Sequence, residues 1–399
     1  MGRKKLSIDS KQALAELSSS NISELLIDDV NETIGKFAFA LGEEEAPTDI
    51  LDFISTGSTI LDTILTNGKW NEKTGWPVRR LVEISGNTSS GKSLLANHAL
   101  INTQKMGGVP ILFDEENTTD ISLLVKMGLK IGKFAEEAGV NKLVYLQAGT
   151  VENVFDTMEK IILKTREIDK NKLITIVWDS IAATPTKDEI DGEFDQEGYG
   201  TGKAKTISKA MRKITKFIGH ENVCLIFTNQ LRDSIGKFGF GDKQSTPGGW
   251  AVPFHSSIRL RLSKLSDIKK NDVTVGVTVQ AHTKKNKIAP FNRKCTFDIY
   301  FDKGIDDEQS WFDNLIEKNV IKRPTKQMYS ISINGTEHTF KSSKWLDLLS
   351  DENIRNECRK LVINANVIDY SALTQNIDSN FDIGEKPTLG EEEVSVDVD

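Results

Sequence analysis

Gly86-Asn87-Thr88-Ser89-Ser90-Gly91-Lys92-Ser93 lies between the apolar run Leu81-Val82-Glu83-Ile84-Ser85 and the helix-forming run Leu94-Leu95-Ala96-Asn97-His98-Ala99-Leu100. The octapeptide fits the phosphate-cradling pattern G-x-x-x-x-G-K-[S/T], and its flanks supply the strand and the helix that the pattern requires. Such a junction is an anion site. Unpaired backbone N–H groups and the positive end of the helix dipole converge on it. The residues expected to bind ATP are Gly86, Asn87, Thr88, Ser89, Ser90, Gly91, Lys92, Ser93 and Leu94. Lys92 is expected on the β- and γ-phosphates and the Ser93 hydroxyl on Mg²⁺.

Outward from this loop, strand-like apolar runs alternate with helical patterns between Ile54 and about Phe301. The runs are Leu81–Ile84, Pro110–Phe113, Leu143–Leu146, Leu173–Trp178, Cys224–Thr228, Ile258–Leu262, Val273–Ala281 and Cys295–Phe301. This alternation predicts an α/β fold, a P-loop NTPase core with a mainly parallel central sheet, its last two strands antiparallel. An N-terminal helical segment (1–53) precedes the core (54–303), with apolar residues from Leu14 to Phe37 at helical spacing and a break at Ser18-Ser19-Ser20-Asn21. A small C-terminal α/β domain (304–370) is expected to hold a hairpin at Asn334-Gly335, then helices Ser343–Leu349 and Glu352–Ile363. The remainder (371–399) reads as an acidic, disordered tail.

Three strands end in polar residues at the edge where open α/β sheets bind ligands. Ile174-Thr175-Ile176-Val177-Trp178-Asp179 offers a carboxylate for Mg²⁺. Ile111-Leu112-Phe113-Asp114-Glu115-Glu116 offers a base for the attacking water, with Glu115 and Glu116 equally placed by spacing. Cys224-Leu225-Ile226-Phe227-Thr228 leads to Asn229-Gln230, an amide able to contact a γ-phosphate.

Composition narrows the class. The 399 residues are 38% hydrophobic and 27% charged, as in a soluble protein with a substantial core. No apolar stretch is long enough to span a membrane, and no secretory h-region follows Met1-Gly2-Arg3-Lys4-Lys5, so a cytoplasmic location is expected. Cys224, Cys295 and Cys358 form no metal or disulfide pattern. Net charge is −7, but the segment 376–399 holds eight acids against one base, which leaves the body near neutral and able to carry a basic stripe.

The motifs together resemble the RecA recombinase family, from about Ile54 to at least Asn319. The resemblance rests on Ile54-Ser55-Thr56-Gly57-Ser58, Ser89-Ser90-Gly91-Lys92-Ser93, Trp178-Asp179-Ser180-Ile181-Ala182-Ala183 and Glu189-Ile190-Asp191-Gly192-Glu193. It continues with Ser208-Lys209-Ala210-Met211-Arg212-Lys213, Thr228-Asn229-Gln230-Leu231-Arg232 and Lys285-Asn286-Lys287-Ile288-Ala289-Pro290-Phe291, in the family's order and with similar spacing. It implies a DNA-dependent ATPase that forms helical filaments on single-stranded DNA and exchanges strands with double-stranded DNA. It also implies that Glu116 activates water, that Gln230 senses the γ-phosphate, and that Lys285 and Lys287 reach the neighbouring subunit's ATP. The N-terminal helices would pack on that neighbour, with ATP at the subunit interface.

Two Gly-rich loops are the expected DNA contacts. One spans about 189–202, with Phe194 and Tyr199. The other spans about 232–249, with Phe238, Phe240, Gly248 and Gly249. Aromatics stack on bases without reading sequence, and Lys203, Lys205, Arg212 and Arg232 supply counter-charge to the backbone. The chain departs from the family's pattern in its extra residues Trp70–Trp76, in a longer second loop, and in Leu123 where the family has a tyrosine stacking on adenine. A ring-shaped helicase would share the nucleotide site, and a kinase would use the loops for an acceptor. Helical filaments on DNA separate the first reading from both.

Overall fold

In the computed structural model the described residues are 22–35, 38–39, 46–68, 73–192, 199–233, 244–245 and 249–370, with the backbone alone for 199–201, 232–233 and 244–245. The helical run over 6–21, Phe194, Phe238, Phe240, Gly248 and the acidic tail lie outside the described residues.

Continuous apolar runs suit strands buried on both faces. Here they form one nine-stranded sheet. A short antiparallel pair, β1 (Phe53–Ile54) with β2 (Trp76–Pro77), precedes it. The sheet then takes β3 (Arg80–Gly86), β4 (Val109–Asp114), β5 (Val144–Leu146), β6 (Ile174–Asp179) and β7 (Val223–Gln230). A two-residue ribbon of β8 (Arg232–Asp233) and β9 (Gln244–Ser245) follows β7. The chain re-enters the sheet with β10 (Ile258–Lys270), β11 (Val273–Asn286), β12 (Lys294–Tyr300) and β13 (Gly304–Ile305). Spatial order is β13-β12-β11-β10-β3-β7-β6-β4-β5. The ladders from β10 to β5 are parallel, and those from β10 to β13 antiparallel, as the sequence predicts for its last two runs.

Successive strand residues face opposite cores. Ile111, Phe113, Ile176, Trp178, Leu225 and Phe227 pack beneath the helices Val151–Ile168 and Tyr199–Ile218. Leu112, Val177 and Ile226 face the other way, toward the helix Lys92–Lys105. The helix Asp307–Glu317, the hairpin β14 (Tyr329–Ile333) with β15 (Thr336–Phe340), and the helix Glu352–Asn366 place Phe312, Ile331, Phe340 and Val362 in that second core. The β14–β15 turn is Asn334-Gly335 with φ of 51° and 80°, the left-handed pair an Asn-Gly hairpin needs. Asp307 ties this unit to the core by accepting from the Thr59 backbone N–H at 2.7 Å and its hydroxyl at 2.6 Å.

One boundary is corrected. The sequence predicts a strand of five residues at Ile258–Leu262, whereas β10 runs to Lys270. Beyond Leu262 it pairs with β11 alone, so its faces are solvated and six of its eight residues are polar. The apolar signal ends before the strand does. The N-terminal helix Ile22–Ile34 leaves Ile22, Leu25, Leu26 and Ile34 exposed. No helix among the described residues is long and apolar enough to cross a membrane.

Candidate functional site

The loop after β3 turns through left-handed backbone at Ser89 (φ 60°) and Gly91 (φ 86°). A Cβ on Gly86 would lie 2.5 Å from Ser90 Oγ and 2.6 Å from the Leu262 carbonyl oxygen, so only glycine passes there. Gly91 precedes the helix Lys92–Lys105 and caps it with no side chain, which leaves the first helical N–H groups aimed at the loop. Ser90 Oγ is buried without a hydrogen-bond partner. Lys92 Nζ donates to the Asn87 carbonyl at 2.8 Å. Burial pushes the Lys92 ammonium below its ordinary range, against the pull of Asp179 and Glu116. A partly buried cation and N–H donors with an orphan hydroxyl make a cradle suited to a polyanion. Leu94 begins the apolar seam of the same helix, packed against the core.

The three adjacent acids after β4 separate by partner. Asp114 is a loop anchor. It accepts from Thr118 N at 3.4 Å, Thr119 N at 3.1 Å and the Tyr145 hydroxyl at 3.1 Å. Burial raises its carboxyl, but these donors outweigh that and hold it below the usual range. Glu115 accepts from Ala148 N at 2.7 Å and Gly149 N at 3.0 Å, clamping the connection that follows β5. Glu116 turns toward β6 and β7. Its Oε1 accepts from Ser180 Oγ at 2.5 Å and lies 3.5 Å from Gln230 Nε2.

Asp179 ends β6 with 7% of its surface exposed. It accepts from Thr228 Oγ1 at 2.5 Å and from the Ser93 hydroxyl. Burial raises its carboxyl above the ordinary range, the two hydroxyls oppose this, and the Glu116 and Asp114 charges add to it. Ser93 and Asp179 are hard oxygen donors beside the cradle, the pairing that Mg²⁺ takes when phosphates complete its shell. No cluster of three His, Cys, Asp or Glu suited to a metal occurs among the described residues.

A further carboxylate sits inside β3. Glu83 has no exposed surface and is paired with Arg259 and with Asn229 Nδ2, at 3.1 Å. Asn229 precedes Gln230, so this pair anchors the strand that presents Gln230. The signal in the sequence is an acid inside an apolar strand.

Lys285 and Lys287 are not brought to the phosphate loop of their own chain. Lys285 is in register with Arg259 and so with Glu83, while the loop starts at Gly86, opposite Leu262. Lys285 therefore lies two strands away from β3 and three residues back along it from the start of the loop. Lys285 Nζ donates to the Pro253 and Phe254 carbonyls at 2.6 and 2.9 Å. Burial, then Lys287 and Arg259, push its ammonium down to about 8.

Both expected DNA loops are shorter than the sequence reading. Lys187–Asp191 is helical beneath a capping box of Thr186 and Glu189, and the helix Tyr199–Ile218 includes Gly200 and Gly202. Burial of Ile207, Met211, Ile214 and Ile218 on one face outweighs two glycines at roughly 1 kcal/mol each. The second loop is closed at its base by Arg232↔Ser245 and Asp233↔Gln244, where backbone polar groups find partners. Lys205 and Arg212 line an open cleft of about 320 Å³ with Trp250, which is 87% exposed and follows Gly249. Sequence reasoning missed Trp250; a tryptophan directly after two glycines was the available signal. Lys203 instead turns inward, donating to the Ala182 carbonyl at 3.2 Å.

The chain matches the family model for the RecA N-terminal domain over residues 21–306. It is 35% identical to Protein RecA of Geobacter sulfurreducens over 301 residues, covering 75% of this chain and 82% of that protein. It is 33% identical to Protein RecA of Wolinella succinogenes over 301 residues, with 75% and 79% covered. Protein RecA of Helicobacter pylori G27 is 33% identical over 300 residues, with 75% and 80% covered.

Proposed function

The chain belongs to the RecA family, and on that premise we propose how its own residues divide the work of a DNA-dependent ATPase. It forms filaments on single-stranded DNA and catalyses homologous pairing and strand exchange in recombination and repair. The observation that carries the division is the convergence of Lys92, Asp179, Glu116 and Gln230 at one sheet edge, with Glu115 and Asp114 engaged elsewhere.

In this reading the loop from Gly86 to Ser93 holds the phosphates of ATP, with Lys92 on the β- and γ-groups. Ser93 and Asp179 would hold Mg²⁺, which when bound withdraws charge from the phosphoryl oxygens. Glu116 accepts a proton from the attacking water. Gln230 reads the γ-phosphate and passes its presence to the loop at 232–249. Lys285 and Lys287 act on the neighbouring protomer's ATP, a role supported by Lys285 Nζ being bonded to the Pro253 and Phe254 carbonyls and not to its own phosphate loop. A cation supplied in trans makes turnover depend on assembly. Lys205, Arg212 and Trp250, with Tyr199, Lys203, Arg232 and Gly249, hold the DNA backbone and bases, and Phe194, Phe238, Phe240 and Gly248 belong to the same two loops. The residues 1–53 serve subunit packing, 54–303 the ATPase core and 304–370 a C-terminal domain, and 371–399 is the tail. A cytoplasmic location fits a DNA substrate and belongs to the same proposal.

The direct test is ATP hydrolysis by the full chain with and without single-stranded DNA. Stimulation of at least about tenfold, with helical filaments in electron micrographs, is expected when a trans cation completes the site. Turnover indifferent to DNA would count against the reading.

The trans role has a pH signature. With its ammonium held down to about 8, Lys285 is charged below that pH and neutral above it. A neighbouring phosphate favours the charged form, so DNA-dependent turnover should fall as pH rises at or somewhat above 8. Lys285→Arg stays protonated and should lose this alkaline limb. The same limb in the arginine variant would rule out Lys285 as its source.

A further inference from the structure

We propose that Ser180 is a positioning residue that holds Glu116 out of its working pose until DNA reaches the first loop, and that Lys203 is the lever. The proposal rests on the reading of Glu116 as the water-activating base.

Ser180 follows Asp179 and is 1% exposed. Its hydroxyl donates to Glu116 Oε1 at 2.5 Å, a short charge-assisted bond to the same oxygen that faces Gln230. A carboxylate oxygen so engaged is directed toward β6. Ser180 in turn belongs to a tightly bonded turn. Its carbonyl accepts from Thr184 Oγ1 at 2.8 Å and Thr184 N at 3.3 Å, and Ala183 N donates to its hydroxyl at 3.3 Å. Trp178 Nε1 locks Thr184 Oγ1 at 2.9 Å.

The middle of this turn is held from across the first loop. Lys203 is in the helix after that loop, yet its ammonium donates to the Ala182 carbonyl at 3.2 Å and lies 3.9 Å from Glu189 Oε2. Glu189 completes the capping box that starts the helix leading into the loop. One ammonium thus joins both stems of the first loop to the turn that orients Ser180. Its side chain is only 14% exposed. An incoming DNA phosphate competes for this ammonium more strongly than a neutral carbonyl does. Once Lys203 moves, the turn loosens, the Ser180 hydroxyl loses its alignment, and Glu116 is released toward the water. Each DNA loop then has its own line to one carboxylate oxygen: the second through Gln230, the first through Lys203 and Ser180.

The experiment compares ATP hydrolysis with and without oligo(dT) in the full-length wild type, Ser180→Ala, Ser180→Thr, Lys203→Met and Glu116→Gln. Ser180→Ala and Lys203→Met should raise the DNA-independent kcat roughly tenfold, the worth of one hydrogen bond to a charged group, with KM for ATP unchanged. Ser180→Thr keeps the hydroxyl and should restore dependence on DNA. The two activating variants act at opposite ends of the chain of contacts, so if one fails to fold the other still decides. A DNA-independent kcat at or below the wild-type value in the folded variants overturns the proposal. Glu116→Gln separates the two failures. Wild-type turnover there defeats the reading of Glu116, whereas an inactive Glu116→Gln beside an unactivated Ser180→Ala defeats this inference alone.

Discussion

Lys92→Ala is expected to lower kcat/KM for ATP by roughly 10³-fold, the scale of losing a principal electrostatic contact to the transferring group. The size follows from the surroundings. Lys92 is the cation between the phosphate loop and two acids, Asp179 and Glu116, whose charges oppose the burial that depresses its ammonium. Without it, the γ-phosphate would meet two carboxylates with much less compensating charge. Lys92→Arg keeps the charge but cannot retain the geometry of a lysine reaching the Asn87 carbonyl at 2.8 Å, so it should recover only part of the loss. Nucleotide-dependent DNA binding should fall with turnover, because Gln230 would have no γ-phosphate to read. The measurements are steady-state hydrolysis and DNA binding with and without ATP. Turnover that survives Lys92→Ala would remove the phosphate loop from the mechanism.

Glu116→Gln and Glu115→Gln, neighbours in sequence, should differ by orders of magnitude. Loss of a general base costs about 10²- to 10⁴-fold in kcat, so Glu116→Gln should retain ATP and DNA binding while hydrolysis nearly stops. Filaments of this variant should be longer-lived if, as proposed, hydrolysis releases DNA. Glu115→Gln keeps one acceptor for two backbone N–H groups, at Ala148 and Gly149. Its expected cost is about 1 kcal/mol of stability, seen as a lower Tm with hydrolysis retained. A Glu115→Gln enzyme as inactive as Glu116→Gln would overturn the assignment of roles.

Spacing could not separate these two glutamates. Strand alternation ends at Asp114, and past a strand end the side-chain direction depends on the turn, here one with Asn117 at φ 55°. What separates them is company. Glu115 finds N–H groups 33 and 34 residues ahead, and Glu116 finds Ser180, 64 residues ahead. Lys203 shows the same limit. In the sequence it is one basic residue among several after a glycine-rich stretch, and only the fold turns it onto Ala182. The buried Glu83 was visible as an acid in an apolar strand, but its partner Arg259 lies 176 residues away and adjoins it only because β10 pairs with β3.

By itself the sequence determined the strand-loop-helix junction at Gly86–Leu94, the alternating α/β pattern and the Asn334-Gly335 hairpin. These rest on backbone preferences and periodicities that act over a few residues. Tertiary structure alone decided the order of the strands, the facing of Glu116, and the placement of Lys285 two strands away from the strand that carries its own phosphate loop. Those outcomes are contacts between distant segments. They are chosen by which faces can be buried together and which polar groups must find partners once water is excluded.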